Sequence, residues 1–338
     1  MSYSKDKFLI LAFNITNPKY LRKIKKAWKK ELIKDIVIGR SQKETEKITS
    51  AVLSGRVVLL KLNENNKGSE IAYVNVRTPM GICLSENRDS LFTGSDHWIY
   101  EIRNGQVVRE LNNNLFNCIH GISLTSRNTL LVASTGVDAI LEVDPERPRE
   151  NLWHWFAPEN GFPISKNGEI RTLDYSKKLQ GVEFSTPLHT THLNSILQKS
   201  RDKIFAVFFH QGSLVEIDKR TNRATILLSG LKNPHGIKSS NNEYLVSDTK
   251  GNRVFILDKN FKIQKQISSD FDWVQDAIFT QERDVIVADS NNGRLILWKR
   301  ENNKLKKIYQ YNQDKLRIGS IMEIALKSAI KIFGINNL

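Results

Sequence analysis

The sequence has little cysteine and no long apolar run. Its 338 residues include only Cys83 and Cys118, so a disulfide framework does not fit and we expect a reduced, cytoplasmic protein. No segment approaches the roughly 18 consecutive apolar residues of a membrane-spanning helix. The apolar run at residues 8–13 is too short for a secretion signal and has no small-residue cleavage site after it. No membrane span is therefore expected.

Acidic residues are outnumbered. Lys and Arg number 51 against 36 Asp and Glu, a formal net charge of +15. Residues 1–50 alone hold thirteen basic and five acidic residues. Such a charge attracts nucleic acid, anionic lipid or acidic substrates. A solvated, lysine-rich surface has the same composition, so the charge by itself assigns no partner.

The chain repeats a pattern of short strands. His235 precedes Asp248 by thirteen residues, and one unit later Asp276 precedes Asp289 by the same interval. Units that start near residues 80, 120, 192, 235 and 276 are about 40 residues apart, except for one step of 72. A period near 40 with several short strands per unit is the signature of a β-propeller with one four-stranded blade per repeat.

The ends of the chain predict how the ring closes. Residues 51–62 match the second and third strands of a blade, and the missing first strand could come from Gly319–Ile321. We predict an all-β, six-bladed propeller over residues 48–321, or seven blades if the insertion at 157–188 hides an irregular one. Residues 1–47 are assigned a strand and a basic amphipathic helix, and 322–338 a shorter helix. Both helices are expected outside the ring, with membrane-surface binding as the alternative for the first.

The starts of several repeats supply a candidate site. First strands line the channel of a propeller, so His120, His235, Asp276 and either His192 or Asn194 should surround one mouth. Three imidazoles with an open fourth position suit a catalytic Zn²⁺. The predicted metal ligands are thus His120, His192 and His235. Asp276 could be a fourth ligand, an orienting partner or a general base, and Asn194 would assist. Alternatively, the imidazoles only hydrogen-bond backbone or water.

Other residues of the same face are secondary candidates. His97 and His210 in the neighbouring hairpins and Arg171 in the insertion could contact a ligand. The insertion could be a lid or a packing element. Cys118 could be a ligand or a nucleophile, although a small core residue is the more common role. Four residues are interpreted as structural, capping turns or pairing between blades: Asp248, Asp289, Arg253 and Arg294.

Segments 235–258 and 276–298 resemble NHL repeats, the blade unit of a large group of six-bladed propellers. Within that group, His at the start of several blades is similar to the peptidyl-hydroxyglycine amidating lyases. That resemblance implies that inner-strand histidines hold a catalytic zinc, and His120 and His235 match the pattern best. His192 departs from it by two residues, with Asn194 in the matching position.

The sequence therefore predicts a metal-dependent propeller enzyme, a lyase or hydrolase, acting on a small-molecule or peptide-like substrate, and a monomer is expected. The alternative is a non-catalytic, NHL-like binding module for RNA or an acidic protein partner. A calcium-dependent propeller hydrolase fits less well, because its channel uses carboxylates where His dominates here.

Overall fold

The computed structural model describes residues 6–14, 55–311 and 316–335. Within them, 24 strands form six four-stranded antiparallel sheets. The predicted basic helix of the N-terminal region lies outside the described residues. No helix in the described ranges is long and apolar enough to cross a membrane.

The two ends of the chain share one blade. From the channel outward its strands are β24 (Arg317–Ile324), β1 (Lys7–Asn14), β2 (Gly55–Leu62) and β3 (Gly68–Asn75). The predicted closure by a C-terminal first strand is confirmed. The expected boundary at residue 48 is wrong for β1, which pairs with both β24 and β2 and so belongs to the ring. Seven consecutive buried residues from Phe8 are typical of a strand covered on both faces.

The other five blades each use four consecutive strands. Blade 1 contains β4 (Ile82–Leu84), β5 (Leu91–Gly94), β6 (Ile99–Arg103) and β7 (Gln106–Leu111). Blade 2 contains β8 (Ile119–Leu124), β9 (Leu130–Ser134), β10 (Ala139–Asp144) and β11 (Arg147–Phe156). Blade 3 contains β12 (Leu193–Ser200), β13 (Lys203–Phe208), β14 (Ser213–Asp218) and β15 (Ala224–Leu228). Blade 4 contains β16 (Gly236–Ser240), β17 (Glu243–Asp248), β18 (Arg253–Leu257) and β19 (Ile263–Ser268). Blade 5 contains β20 (Val274–Phe279), β21 (Val285–Asp289), β22 (Arg294–Trp298) and β23 (Leu305–Gln310).

The first strands of the blades form the inner ring. Each contacts the next in the order β4, β8, β12, β16, β20, β24 and back to β4. The six-bladed propeller is therefore confirmed. The insertion at 157–188 is not a seventh blade, because its described backbone contains two short 3₁₀ helices and a single isolated bridge between Ile164 and Ile170.

The hydrophobic core lies between the blades. Between blades 1 and 2, for example, Phe92 and Ile99 pack with Val132 and Leu141, and Leu179 of the insertion joins the same cluster. The strands bury apolar side chains on both faces, since each blade is covered by two neighbours.

One helix packs on the outside of the ring. Helix α1 (Leu326–Phe333) buries Ala329, Ile332 and Phe333 against β1, β3 and β6. It ends at Gly334, whose φ of 64° is the left-handed conformation usual after a helix. The predicted C-terminal helix is confirmed, but it starts later than expected because residues up to Ile324 continue β24.

The repeated Asp–Arg pairs stabilise hairpins. Arg253 Nε donates to Asp248 Oδ2 at 2.7 Å, and Arg294 Nε donates to Asp289 Oδ2 at 2.6 Å. Asp289 Oδ1 also accepts the backbone N–H of Asp272 at 2.8 Å. Their structural interpretation from the sequence is confirmed.

Candidate functional site at the channel mouth

Each first strand enters the channel through the same local backbone. We call the residue at which each first strand enters the channel its channel residue. In five blades the residue two before the channel residue has a left-handed φ: 39° at Thr78, 50° at Cys118, 47° at His192, 52° at Asn233 and 64° at Trp273. The channel residue lies at a bulge in blades 2, 3 and 5 and in the closing blade. A bulge re-aims the extra side chain out of the ladder. The equivalent channel residues are Met80, His120, Asn194, His235, Gln275 and Gly319.

This register corrects one sequence prediction. Gln275, not Asp276, is the repeat equivalent of His120 and His235. The cause is hairpin length: Asp276 pairs with Ala288, twelve residues away, whereas Gly236 pairs with Ser247, eleven residues away. Counting back thirteen residues from the following Asp therefore lands one residue too late in blade 5.

His120 is held in one tautomer by Asn194. The Asn194 amide nitrogen donates to the Pro234 carbonyl at 3.4 Å, which turns its Oδ1 toward His120 Nδ1, 2.5 Å away. An amide oxygen only accepts, so Nδ1 carries the proton and Nε2 has the lone pair. Nε2 lies 3.3 Å from the Sγ of Cys118. Burial lowers the pKa of His120, opposed by the Asn194 hydrogen bond, so the ring is neutral at pH 7.

His235 is held in the same tautomer by different chemistry. The Thr249 hydroxyl donates to the Val274 carbonyl at 2.7 Å, so its oxygen accepts from His235 Nδ1 at 2.9 Å. The ring packs edge-on against Phe209 and lies 5.5 Å from Trp273. Burial lowers the pKa of His235 to about 3, and neighbouring positive charge adds to the effect. The side chain is a neutral base over the physiological range.

A cavity opens over these two histidines. Its volume is ≈430 Å³, and its walls include His120, His235, Cys118, Gln275 and Arg317. The Arg317 guanidinium lies 5.9 Å from the Trp273 ring centroid, and Trp273 Nε1 donates to Gln275 Oε1 at 2.8 Å. A cavity of this size accommodates a small ligand. Sequence reasoning did not find Gln275, Trp273 or Arg317, which belong to no recognisable motif.

His192 lies beside His120 but does not line this cavity. Its backbone position is equivalent to Cys118, and its Nδ1 pairs with Nδ1 of His189 at 2.6 Å. Burial lowers the pKa of His192 well below its ordinary value and lowers that of His189 to about 4. One ring donates through Nδ1 and the other accepts, and the lowered pKa values keep both rings neutral at pH 7. His189 was missed in the sequence, although the spacing His189-Thr-Thr-His192 was a visible signal.

Asp276 ties blade 5 to the closing blade. Its Oδ2 accepts the Ser320 hydroxyl at 2.8 Å and the Ile321 backbone N–H at 3.0 Å, and lies 3.4 Å from Lys238 Nζ. The residue is 3% exposed. A carboxylate satisfied in this way positions the inner strands. Asp276 lines a channel cavity of ≈170 Å³ together with His120 and His235, and does not line the neighbouring cavity of ≈430 Å³.

The insertion is fastened to the mouth by Arg171. The buried Arg171 guanidinium pairs with Asp138 and donates to the Gly136 carbonyl at 2.6 Å. The other acceptor positions of Asp138 take the backbone N–H groups of Thr190, Thr191 and His192, at 2.7, 3.0 and 2.9 Å. Arg171 was expected as a possible ligand contact; the structure uses it to hold the insertion on blade 2.

His97 and His210 fasten two other points of the insertion. The Gly181 backbone N–H donates to His97 Nδ1 at 3.3 Å, and His210 Nε2 donates to the Thr186 carbonyl at 3.1 Å. Thr186 also borders the mouth cavity. His97 lines a second cavity of ≈340 Å³ with Arg77, Trp98 and Phe184. The insertion therefore covers part of the mouth and forms the wall of this side cavity.

Metal binding by His120, His192 and His235 stays a prediction. Within the described residues, no group of three or more His, Cys, Asp or Glu side chains has the arrangement of a metal centre. The rings of His120 and His192 lie edge-to-face at 5.1 Å, and the Nδ1 of His192 is directed at His189. His120 and His235 each have the Nδ1–H/Nε2 arrangement common among metal-ligating histidines.

Comparison with known proteins supports the fold. No family model matches the sequence, and no curated protein matches it. Among solved structures, a chain of a nidogen/laminin complex aligns over 94% of this chain and 98% of that chain, with 8% identity and a TM-score of 0.58. A protein of unknown function from Bacteroides caccae aligns over 79% of this chain and 94% of that chain, with 12% identity and a TM-score of 0.54.

A lyase is also among the structural neighbours. Virginiamycin B lyase from Staphylococcus aureus aligns over 91% of this chain and 90% of that chain, with 12% identity and a TM-score of 0.46. Identities this low show the fold alone, and the last score carries no argument about activity. The chain is thus a six-bladed propeller of the kind found in both enzymes and binding modules. The NHL and amidating-lyase resemblances stay predictions.

Proposed function

We propose that the protein is a propeller enzyme of the lyase or hydrolase class that acts on a small-molecule or peptide-like substrate in the mouth cavity. One observation carries the proposal. Two histidines, His120 and His235, each have Nδ1–H held by a side-chain oxygen, which leaves Nε2 as the basic atom at a cavity of ≈430 Å³. Fixing the tautomer in this way prepares an imidazole for proton transfer.

The two histidines have different roles. His120 is the general base, because the Asn194 oxygen that accepts its Nδ1–H also stabilises the imidazolium formed when Nε2 takes a proton. Asn194 is a positioning residue. His235 has a neutral hydroxyl oxygen as the partner of Nδ1, and burial lowers its pKa to about 3, so it stays neutral and accepts a hydrogen bond from substrate or water.

The steps proposed here use side chains of the protein alone. Zinc binding by His120, His192 and His235 stays a prediction, which elemental analysis tests. The competing hypothesis is a non-catalytic binding module that uses the basic surface. In that case the cavity binds a ligand without converting it.

The test is conversion of small molecules. Purified protein, as isolated or after chelator treatment, is incubated with a fractionated metabolite and peptide extract, and mass spectrometry records species consumed and formed. We expect conversion by the wild type to fall about a hundredfold or more in His120→Gln. His154→Gln is the matched control, since His154 is exposed on the outer strand β11 and stacks on Phe156.

Retention without conversion would contradict the enzyme proposal and favour the binding module. If His120→Gln converts substrate as fast as the wild type, His120 is not the general base. Conversion lost on chelation and restored by zinc would require a metal that this proposal does not use.

A further inference from the structure

Cys118 lies next to the proposed base. Its Sγ is 3.3 Å from His120 Nε2, and His120 Nδ1 is 2.5 Å from Asn194 Oδ1. The hydrogen-bond directions determine which atoms carry the protons. Because Asn194 Oδ1 accepts from His120 Nδ1, His120 Nε2 is unprotonated and accepts from the Cys118 thiol. A nucleophile, a base and an orienting amide in this order form the arrangement used by cysteine hydrolases of unrelated folds.

The position of Cys118 points to a ligand. It borders both the mouth cavity and the side cavity beneath residues 181–184, of ≈430 and ≈340 Å³. Asp96 is the other residue shared by the two cavities. A sulfur at the junction of two cavities can attack a bond whose two halves extend into different spaces. The described residues offer one other cysteine, Cys83, which is buried and has its pKa raised to about 12 by desolvation.

We propose that Cys118 is a catalytic nucleophile that takes an acyl group from an ester, thioester or activated amide, with His120 as base and Asn194 as positioning residue. This inference rests on the proposed function and deepens it toward acyl transfer. A packing role for Cys118 is the competing account, in which the thiol only satisfies the lone pair of His120.

The chemical steps balance without a further reactant except water. The Cys118 thiol proton passes to His120 Nε2, and the sulfur adds to the carbonyl carbon, whose π electrons move to oxygen. The oxyanion then collapses, the bond to the leaving group breaks, and that group takes the proton from Nε2. Water repeats the sequence on the thioester, giving the carboxylic acid and the free thiol.

Donors for the oxyanion are available in the same cavity. The side-chain oxygen Oε1 of Gln275 accepts from Trp273 Nε1 at 2.8 Å. The Nε2 amino group of the same side chain therefore points away from Trp273. The Arg317 guanidinium lies over the Trp273 ring, 5.9 Å from its centroid, and lines the same cavity. Both side chains line the mouth beside Cys118 and His120. They supply the kind of hydrogen-bond donor that stabilises a developing negative charge.

The experiment uses p-nitrophenyl acetate as the acyl donor. Wild-type protein should release a rapid burst of about one nitrophenolate per chain, and peptide mapping should place the acetyl group on Cys118. Cys118→Ser should lose the burst, and His120→Gln should slow it by about a hundredfold. Asn194→Ala should slow it by about tenfold and change its pH profile, whereas Asn194→Asp, which keeps an acceptor, should recover most of the rate.

Cys83→Ala is the matched control and should acylate like the wild type. Iodoacetamide, a smaller probe, should alkylate Cys118 faster in the wild type than in His120→Gln. An unchanged burst in Cys118→Ser, or alkylation of Cys118 that does not depend on His120, overturns the nucleophile. If Cys118→Ser keeps conversion in the extract assay while His120→Gln loses it, the nucleophile fails and the proposed acid–base enzyme stands. If Cys118 acylates as expected but the extract shows no conversion, the acyl-transfer chemistry stands and the substrate classes proposed for the enzyme are wrong.

Discussion

Acid should destabilise this propeller through its buried histidines, and His235 allows the effect to be isolated. The pKa of His235 is lowered by burial to about 3, while an unfolded histidine titrates near 6.5. Between these values the unfolded chain binds a proton that the folded chain does not. The contribution of His235 to stability is therefore present above about pH 6.5 and is lost as the pH falls toward 3.

The magnitude follows from that difference. Between pH 7 and pH 5, one histidine with these two pKa values changes the free energy of unfolding by about 2 kcal/mol. Removing the group in His235→Gln should reduce the difference in unfolding free energy between the two pH values by about this amount. Carboxylates contribute little in the window, since most titrate below it.

Urea unfolding at pH 7, 6 and 5 measures how the free energy of unfolding changes with pH in the wild type and in His235→Gln. His154→Gln, altered at an exposed histidine, should keep the wild-type dependence. Equal pH dependence in the wild type and His235→Gln would refute the reasoning, because His235 would then titrate alike in the folded and unfolded states.

Two further predictions concern the elements that hold the site. Arg171→Met should lower the free energy of unfolding, measured in urea, by about 3–5 kcal/mol, because Asp138 is left as a buried charge without its cation. The control is Lys177→Met, which alters a side chain that is 76% exposed. A cost below about 1 kcal/mol, with no faster proteolysis within 157–188, would contradict the anchoring role. Gly121→Ala should cost about 1–3 kcal/mol, because the added Cβ would lie 2.7 Å from the Asn194 carbonyl oxygen and force the two inner strands apart. Wild-type stability in this variant, measured by urea unfolding, would show that the strands adjust freely.

The fold could be predicted from the sequence because each blade repeats the same short strands. The period and the apolar runs specify the number of blades, and the match at Gly319–Ile321 predicted the closing strand. The error at β1 arose because this strand has no hairpin neighbour in sequence. Its partners are residues 55–62 and 317–324, so local patterns gave no sign that it belongs to the ring.

The site was only partly predictable. Repeat position identified His120, His235 and Asn194, since the first strands lead side chains into the channel. It misplaced Asp276, because a single extra hairpin residue shifts the register and moves the carboxylate into an inter-blade contact. The pairing of His192 with His189, and the contact between Cys118 and His120, depend on left-handed residues at the strand entrances. No composition or spacing rule reports those conformations.

The central claim is that His120 and His235 present neutral imidazoles whose basic Nε2 is at the mouth cavity. Two-dimensional ¹H–¹⁵N correlation of the ring nitrogens, assigned with His120→Gln and His235→Gln, measures the tautomer of each histidine directly. The account predicts at pH 7 a protonated Nδ1 and an unprotonated, pyridine-like Nε2 in both rings. A protonated Nε2 with an unprotonated Nδ1, or an imidazolium in either ring at that pH, would contradict it.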